Sequence, residues 1–326
     1  MLVLVTGATG KVGSHFIARL LSDARFRNAR VRALCHNRTM TSSERIEVVK
    51  GSIDDRAVAA AAIEGVTHVV HLATCKETPE IIIDVTVKGL FWLLEAFRKS
   101  NRARQFILIG GDASIGHFFY RREAPVTEST PHAAYPGCYA LSKVLEEVVL
   151  EQFGIQYGIN WCCLRAPWIM EKDDFRYSLS FGDDVFGGPD WKTMVSAGEA
   201  KQYAQEGTVP LLRDADGRSL RRNFVHVDDL ASAIIAATDN PRAAQQVFNV
   251  AMDRPVDYGE VAAYLLRTRG LASVDIPSTY HSTWLDNNKA RLLLDWQPEY
   301  DLARLIDAAY SYRRAPDDPR KTWYPG

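Results

Sequence analysis

The 326-residue chain has no excess of either charge, since 39 Lys and Arg stand against 40 Asp and Glu. This balance gives no reason to expect a nucleic acid or an anionic membrane as partner. No apolar run approaches the ~20 residues of a membrane span. The amino terminus enters an apolar stretch directly, with no basic region or cleavage site before it. We therefore expect a cytoplasmic protein that acts on a small molecule.

Cysteines are few and are not spaced as pairs. The five are odd in number and show no C-x-x-C spacing, at Cys35, Cys75, Cys138, Cys162 and Cys163. This pattern disfavours a disulfide framework and a structural zinc site. No cluster of His, Asp and Glu has metal-ligand spacing either, so no metal is expected.

Short apolar runs alternate with helical patterns along the first half of the chain. The runs occupy residues 2–6, 31–35, 46–50, 68–73, 105–110 and 160–165. They are continuously apolar, which is typical of parallel strands covered by helices on both faces. The predicted fold class is α/β, with long helices at 79–100 and 139–153. Residues 169–220 break the pattern and are predicted to be either an ordered surface excursion or, as long loops favour, a lid over a pocket.

A glycine-rich loop joins the first strand to the first helix. In "LVLVTGATGKVGSHF", Gly7, Gly10 and Gly13 let the chain turn tightly. Backbone N–H groups at the positive end of a helix bind pyrophosphate. A glycine-rich turn without a ligand is the alternative, but the position after the first strand favours phosphate binding.

Tyr139 and Lys143 are four residues apart on a predicted helix and share one face. A tyrosine with a reference pKa of ~10 is a poor base at neutral pH, and a nearby ammonium stabilises its phenolate. Taken alone, such a pair is usually an ordinary surface contact. Together with the glycine loop it indicates acid/base catalysis.

Several motifs together resemble the NAD-dependent epimerase/dehydratase family of extended short-chain dehydrogenases/reductases. They are the T-G-x-x-G-x-x-G loop, "HLAT" (71–74), "YALSK" (139–143), "LRAPW" (164–168), "RNFVHVDDLASAI" (222–234), "VFNVA" (247–251) and "DNNKARLLLDWQP" (286–298). The resemblance runs from about residue 2 to about residue 310.

The resemblance implies a Rossmann doubly wound parallel sheet with a smaller C-terminal α/β substrate-binding region. The NAD(P)-binding domain would comprise 1–166 and about 209–252, and the substrate-binding region about 167–208 and 253–326. The family's usual homodimer would form through a four-helix interface from 79–100 and 139–153.

The resemblance also implies which residues hold the dinucleotide. They are Gly7, Thr9, Gly10, Lys11, Val12, Gly13, His36, Arg38, Ser52, Ile53, Leu72, Ala73, Thr74, Tyr139, Lys143 and Ala166. Cys35 stands where an acidic residue would bind the ribose of NAD, and Arg38 follows, which slightly favours NADP over NAD. Alternatively, Arg38 is a solvated charge and NAD binds through other hydrogen bonds.

The family pattern is incomplete after the fifth strand. The resemblance implies that Tyr139 exchanges a proton with substrate and that Lys143 binds the cofactor ribose, but the family's Ser or Thr falls on Gly111. Ser114 would replace that hydroxyl if the loop is shifted. Asp112 would bind a substrate hydroxyl or would be a turn residue. The predicted catalytic residues are thus Tyr139, Lys143, Asp112 and Ser114.

Three residues are predicted at the substrate: Gly111, Trp168 and Arg222. Trp168 replaces the Asn that binds diphosphate in nucleotide-sugar epimerases, while Arg222 matches an arginine that often reaches substrate. Dehydration is disfavoured because Ala113 replaces the dehydratase Glu. The leading hypothesis is an NAD(P)-dependent oxidoreductase acting on a secondary alcohol or carbonyl of a sugar, sugar acid or related polyhydroxy compound. The alternatives are a nucleotide-sugar epimerase with retained NAD and a non-catalytic NAD(P)-sensing protein.

Overall fold

The computed structural model describes residues 1–184 and 186–318. The strands are β1 (Leu2–Thr6), β2 (Arg30–Cys35), β3 (Ile46–Lys50), β4 (His68–His71), β5 (Gln105–Gly111), β6 (Trp161–Ala166), β7 (Trp168–Met170), β8 (Val209–Arg213), β9 (Arg221–Arg222), β10 (Phe224–His226), β11 (Gln246–Asn249), β12 (Val256–Asp257) and β13 (Ser273–Pro277). Seven of them form one parallel sheet in the order β11-β6-β5-β4-β1-β2-β3. This confirms the predicted Rossmann-type doubly wound α/β fold.

The helices are α1 (Lys11–Ser22), α2 (Arg56–Ile63), α3 (Gly89–Lys99), α4 (Cys138–Tyr157), α5 (Asp174–Tyr177), α6 (Ala197–Glu206), α7 (Val227–Ala237), α8 (Tyr258–Arg269), α9 (Asn288–Leu294) and α10 (Leu302–Ser311). A π-helical turn at Ile83–Lys88 leads directly into α3. These two elements and α4 occupy the segments predicted as long helices. Among the described residues, no helix combines the length and apolar content that crossing a membrane requires.

The central sheet is buried on both faces, which explains its continuously apolar strands. Along β5, Ile107 and Ile109 belong to one apolar core, whereas Phe106 and Leu108 belong to the other. Alternate side chains of a strand point to opposite faces, so both faces demand apolar residues. The first core includes residues of α1 and α7, and the second includes residues of α2, α3 and α4.

A third apolar core lies in a smaller lobe. This lobe is built from segments that precede α7 and follow β11 in the sequence. Residues 209–213, expected in the nucleotide-binding domain, instead form β8 and pair with β13 in this lobe. The physical reason is that Val209 and Leu212 are buried in the third core. Most of 169–220 is ordered structure of the same lobe, and of its described residues Ile169, Phe186, Gly187 and Gly188 reach the cleft described below.

Candidate active site

A cavity of about 540 Å³ opens at the carboxyl ends of β1, β2, β4 and β5. From β1 the chain adds β2 and β3 on one side and then β4, β5 and β6 on the other, and ligands of such sheets bind at this switch in strand order. The structure brings every predicted dinucleotide-binding residue to this cleft, from Gly7, Thr9, Gly10, Lys11, Val12 and Gly13 through His36, Arg38, Ser52, Ile53, Leu72, Ala73 and Thr74 to Tyr139, Lys143 and Ala166.

The glycine loop packs too closely for side chains. A Cβ added at Gly13 would lie 2.4 Å from the Gly7 carbonyl oxygen and 2.8 Å from Ala8 Cα. Gly7 has a φ of +63°, a conformation that favours glycine. No acidic residue stands in the first turn of α1. The loop and the positive end of α1 therefore fit a pyrophosphate.

The end of the cleft next to β2 and β3 carries basic rather than acidic side chains. His36 and Arg38 follow β2, and Ser52 and Ile53 follow β3. Cys35 is buried, and this burial raises the pKa of its thiol. Among the described residues that line this end, none is a carboxylate that could hold the adenosine ribose.

Lys11 connects the loop to the smaller lobe. Its Nζ donates to Asp174 Oδ2 at 2.5 Å and to the Ile169 carbonyl oxygen at 3.1 Å. The ammonium also lies 4.4 Å from the centre of the Phe186 ring. The cleft is thus closed on one side by an ion pair between α1 and α5.

The first two turns of α4 place Tyr139 and Lys143 in the cleft. Glu77 Oε2 accepts hydrogen bonds from the backbone nitrogens of Cys138 at 2.9 Å and Tyr139 at 3.2 Å. Lys143 Nζ lies 5.6 Å from the centre of the Tyr139 ring, and Lys76 Nζ lies 4.1 Å from it. Two ammonium groups therefore lie near the Tyr139 ring.

Gly111 lies directly opposite Tyr139. A Cβ added at Gly111 would be 3.9 Å from the Tyr139 hydroxyl oxygen and 3.6 Å from the Ala166 carbonyl oxygen, which are ordinary contact distances. The backbone is extended there, with a φ of −150° that any residue adopts. The position at which the resemblance implies a missing hydroxyl therefore faces Tyr139 and has room for a side chain.

Ser114, predicted as a replacement for that hydroxyl, is not brought to the cleft with Tyr139, Lys143 and Asp112. The residue is fully buried, and its Oγ lies 2.8 Å from Glu147 Oε1 and 3.0 Å from the Gly111 carbonyl oxygen. It does not line the cleft. The reason is the 3-10 turn at Asp112–Ile115, which directs Ser114 toward α4 and the Glu147–Arg165 ion pair.

Asp112 lines the cleft and is held by His117, a residue that the sequence interpretation missed. The two side chains are 2.6 Å apart at Oδ2 and Nδ1, and Arg222 Nη2 lies 3.1 Å from His117 Nε2. A guanidinium only donates, so Nε2 accepts and the Nδ1 hydrogen is donated to Asp112. Burial lowers the pKa of His117, which keeps this imidazole neutral. The signal for His117 in the sequence was its position directly after Gly116, in the loop that follows β5.

Trp168 and Arg222, both predicted at the substrate, are in contact at one end of the cleft. The Arg222 guanidinium lies 3.9 Å from the centre of the Trp168 ring and donates to the Gly188 carbonyl oxygen at 3.1 Å. Trp168 stacks between Phe186 and Phe224, each with ring centres 5.6 Å away. Burial lowers the pKa of Arg222. This end of the cleft is therefore an aromatic wall with one buried cation.

Besides His117, two polar side chains of the cleft were not predicted, those of Lys76 and Tyr135. Burial raises the pKa of Tyr135, so its hydroxyl stays protonated.

All five cysteines lie within the described residues, and none forms a disulfide. Across residues 1–184 and 186–318, no three His, Cys, Asp or Glu side chains gather as a metal site.

Comparison with known proteins places this cleft in a family. The sequence profile of the NAD dependent epimerase/dehydratase family matches residues 3–251. UDP-glucuronate 4-epimerase 1 of Arabidopsis thaliana is 26% identical over 259 residues, which are 73% of this chain but only 55% of that protein. The chain thus spans little more than half the length of that relative. UDP-glucose 4-epimerase of Mycolicibacterium smegmatis is 26% identical over 96% of this chain and 99% of its own.

A solved structure shares the fold. It is a short-chain dehydrogenase/reductase superfamily protein from Agrobacterium tumefaciens with bound NAD, with a TM-score of 0.79 and 24% identity over 95% of this chain and 96% of that one. The family profile covers most of the chain, including the glycine loop, Tyr139 and Lys143. The chain belongs to the NAD-dependent epimerase/dehydratase family.

Proposed function

We propose that this protein is an NAD(P)-dependent oxidoreductase that interconverts a secondary alcohol and a carbonyl on a free sugar, sugar acid or related polyhydroxy compound. The observation that carries the proposal is the placement of Tyr139 and Lys143 beside Gly111 in the cleft of the glycine loop. When bound, the nicotinamide cofactor supplies the hydride acceptor or donor.

The residues of the chain bind the cofactor, orient the substrate and transfer the proton. The glycine loop binds the pyrophosphate, and Lys143 holds the cofactor ribose. In the oxidation direction, Tyr139 takes the proton of the substrate hydroxyl through its phenolate. Asp112, oriented by His117, accepts a hydrogen bond from another substrate hydroxyl. Tyr139 returns the proton to the carbonyl oxygen in the reverse direction.

The aromatic wall supports a substrate without a nucleotide. Trp168 occupies the place of the Asn that binds diphosphate in nucleotide-sugar epimerases, and the indole has no anion-binding oxygen or amide. Arg222 contributes a cation here, but two of its nitrogens already donate to Gly188 and His117. A compact polyhydroxy substrate fits this surface better than a diphosphate does.

The second candidate is a nucleotide-sugar epimerase with retained NAD. It is favoured by the curated relatives, which are named as UDP-glucuronate and UDP-glucose 4-epimerases. Such an enzyme oxidises and reduces the same carbon, so it consumes no added cofactor.

One experiment separates the two candidates. The protein is incubated with NAD⁺ or NADP⁺ and a panel of aldoses, aldonates, uronates and lactones, and separately with UDP-sugars without added cofactor. The proposal predicts net cofactor reduction by a free compound and no change in the UDP-sugars. Epimerised UDP-sugar without added cofactor, with no reduction by any free compound, would establish the second candidate instead.

Arg38 is proposed to favour NADP⁺ at the adenosine end of the cleft. Replacing Arg38 by Gln removes the cation near the 2′-phosphate, so NADP⁺ affinity is expected to fall about tenfold, a typical loss for one charge-assisted contact, while NAD⁺ affinity changes little. Fluorescence titration with both cofactors measures this, and the exposed Arg27→Gln serves as control. Equal losses for both cofactors would contradict the proposal.

A homodimer through α3 and α4 is also proposed. Leu141, Val148 and Ile155 of α4 are spaced by seven residues, so they share one helix face, and they are 48%, 38% and 69% exposed. Phe91 of α3 adds a further exposed apolar side chain. Contiguous exposed apolar side chains mark surfaces that become buried in contacts between proteins.

Val148→Lys is therefore expected to convert a dimer into a monomer in light scattering after size-exclusion chromatography. Leu292, which is 74% exposed on α9, provides the control Leu292→Lys. A monomeric wild-type protein, or a dimer that survives Val148→Lys, would rule out this interface.

A further inference from the structure

A buried carboxylate lies directly behind the catalytic lysine. Glu146 Oε2 is 2.7 Å from Lys143 Nζ, and the side chains are 0% and 4% exposed. Among the described residues, no donor makes a well-oriented hydrogen bond to either carboxylate oxygen of Glu146. The carboxylate is therefore stabilised by the charge of Lys143, and the two groups depend on each other.

His71 lies on the other side of Glu146 and does not neutralise it. Thr6 Oγ1 accepts the backbone N–H groups of Leu72 and Ala73 at 3.0 Å and 3.1 Å, so its own hydrogen goes to His71 Nδ1 at 2.8 Å. The ring hydrogen is then on Nε2, 3.9 Å from Glu146 Oε1. Burial lowers the pKa of His71 to about 3, so the ring is uncharged.

The other groups around the pair are already compensated or neutral. Glu147, the next residue of α4, is bound by Arg165 of β6 at 2.7 Å. Burial raises the pKa of Cys163 on β6, which keeps the thiol protonated. Lys76 lies over the outer face of the Tyr139 ring. Lys143 is therefore the cation that faces Glu146.

We propose that Glu146 is a positioning residue that holds the Lys143 ammonium and determines how much positive charge Tyr139 experiences. The proposal rests on the proposed role of Tyr139 as acid/base. An ionised Glu146 offsets the charge of Lys143 and disfavours the Tyr139 phenolate, whereas a protonated Glu146 does not. Hydride-transfer activity thus acquires a pH dependence from a carboxyl group that never touches substrate.

The pKa of Glu146 lies near neutral pH, so its charge changes in the range where the enzyme would work. Burial raises the pKa of Glu146 to about 7, although the Lys143 ammonium opposes this rise. Burial disfavours the charged Lys143, but the negative charges of Glu146 and of a Tyr139 phenolate together outweigh this effect and raise the pKa of Lys143. As the pH rises through neutrality, Glu146 gains charge while Lys143 keeps its own.

The test follows Tyr139 directly and needs no substrate. The phenolate absorbance of each protein is titrated with pH, and the titration of the same protein carrying Tyr139→Phe is subtracted. Glu146→Gln is expected to move the Tyr139 midpoint down by about one pH unit, the lower range for one neighbouring charge. Glu146→Asp retains the charge and is expected to keep the wild-type midpoint. The exposed Glu151→Gln on the same helix is the control and is expected to change nothing.

An unchanged or higher midpoint in Glu146→Gln overturns the proposal, because a structural role alone would not move the midpoint down. If Glu146→Gln does not fold, infrared spectra of wild-type protein with carbon-13-labelled Glu decide instead. A protonated-carboxyl band that persists to higher pH in the wild type than in Tyr139→Phe supports the proposal, and a band that is absent or has the same midpoint in both proteins overturns it.

A failure of the proposed function appears differently from a failure of this inference. If the function is wrong, the wild type reduces no cofactor with any free compound, yet the absorbance titration still reports on Glu146. If only the inference is wrong, turnover is present and the acid limb of kcat/KM has the same midpoint in wild type and Glu146→Gln.

Discussion

Tyr139→Phe is expected to lower kcat by about 10²- to 10⁴-fold, the usual contribution of a positioned acid/base group. The substitution removes one hydroxyl and keeps the ring that packs against Lys76. Cofactor affinity is therefore expected to stay within about twofold. Steady-state kinetics with the best substrate of the panel, together with fluorescence titration of the cofactor, measure both quantities.

The matched control is Tyr157→Phe, at the opposite end of α4 and 47% exposed. It is expected to leave kcat unchanged. Full activity in Tyr139→Phe would contradict the acid/base assignment.

Gly111→Ser is expected to raise kcat/KM about tenfold. The new side chain would begin 3.9 Å from the Tyr139 hydroxyl oxygen and would donate a hydrogen bond to the reacting oxygen of the substrate. Loss of such a donor from an adapted site costs about 10²- to 10³-fold. A donor added to a site that has not adapted to it is expected to recover only part of that factor.

Gly111→Ala is the control for Gly111→Ser because it adds the same Cβ without the hydroxyl. The account predicts a gain for Ser and none for Ala, measured as kcat/KM on one substrate. Equal losses for both would show that substrate already fills the space beside Gly111, and that Asp112 and His117 are arranged around a bulkier group.

Local patterns predicted the cofactor half of the molecule well. The glycine loop, the apolar runs that became β1 to β6, and the Tyr139–Lys143 spacing each depend on residues close together in the chain. Steric and helical rules that act over a few residues are sufficient for such features. The expectation of a missing hydroxyl at Gly111 came instead from the resemblance to the family, by matching the segment that follows the fifth strand.

Long-range contacts were not predictable in this way. His117 and Arg222 are 105 residues apart in sequence, and their hydrogen bond exists only because the smaller lobe folds against β5. Ser114 is turned away from the cleft by a short 3-10 turn, and nothing in its neighbourhood indicated the direction. Glu146 and Glu147 are adjacent acidic residues, and only the packing of α4 shows that one faces Lys143 and the other Arg165.

The central claim is that hydride transfer occurs in this cleft with Tyr139 as the acid/base residue. The most direct measurement uses the active substrate with deuterium at the reacting carbon, mixed with wild-type protein and oxidised cofactor. The account predicts that the deuterium appears on the nicotinamide ring and that Tyr139→Phe abolishes this transfer while still binding cofactor. Product formation without deuterium on the nicotinamide, or undiminished transfer in Tyr139→Phe, would contradict it.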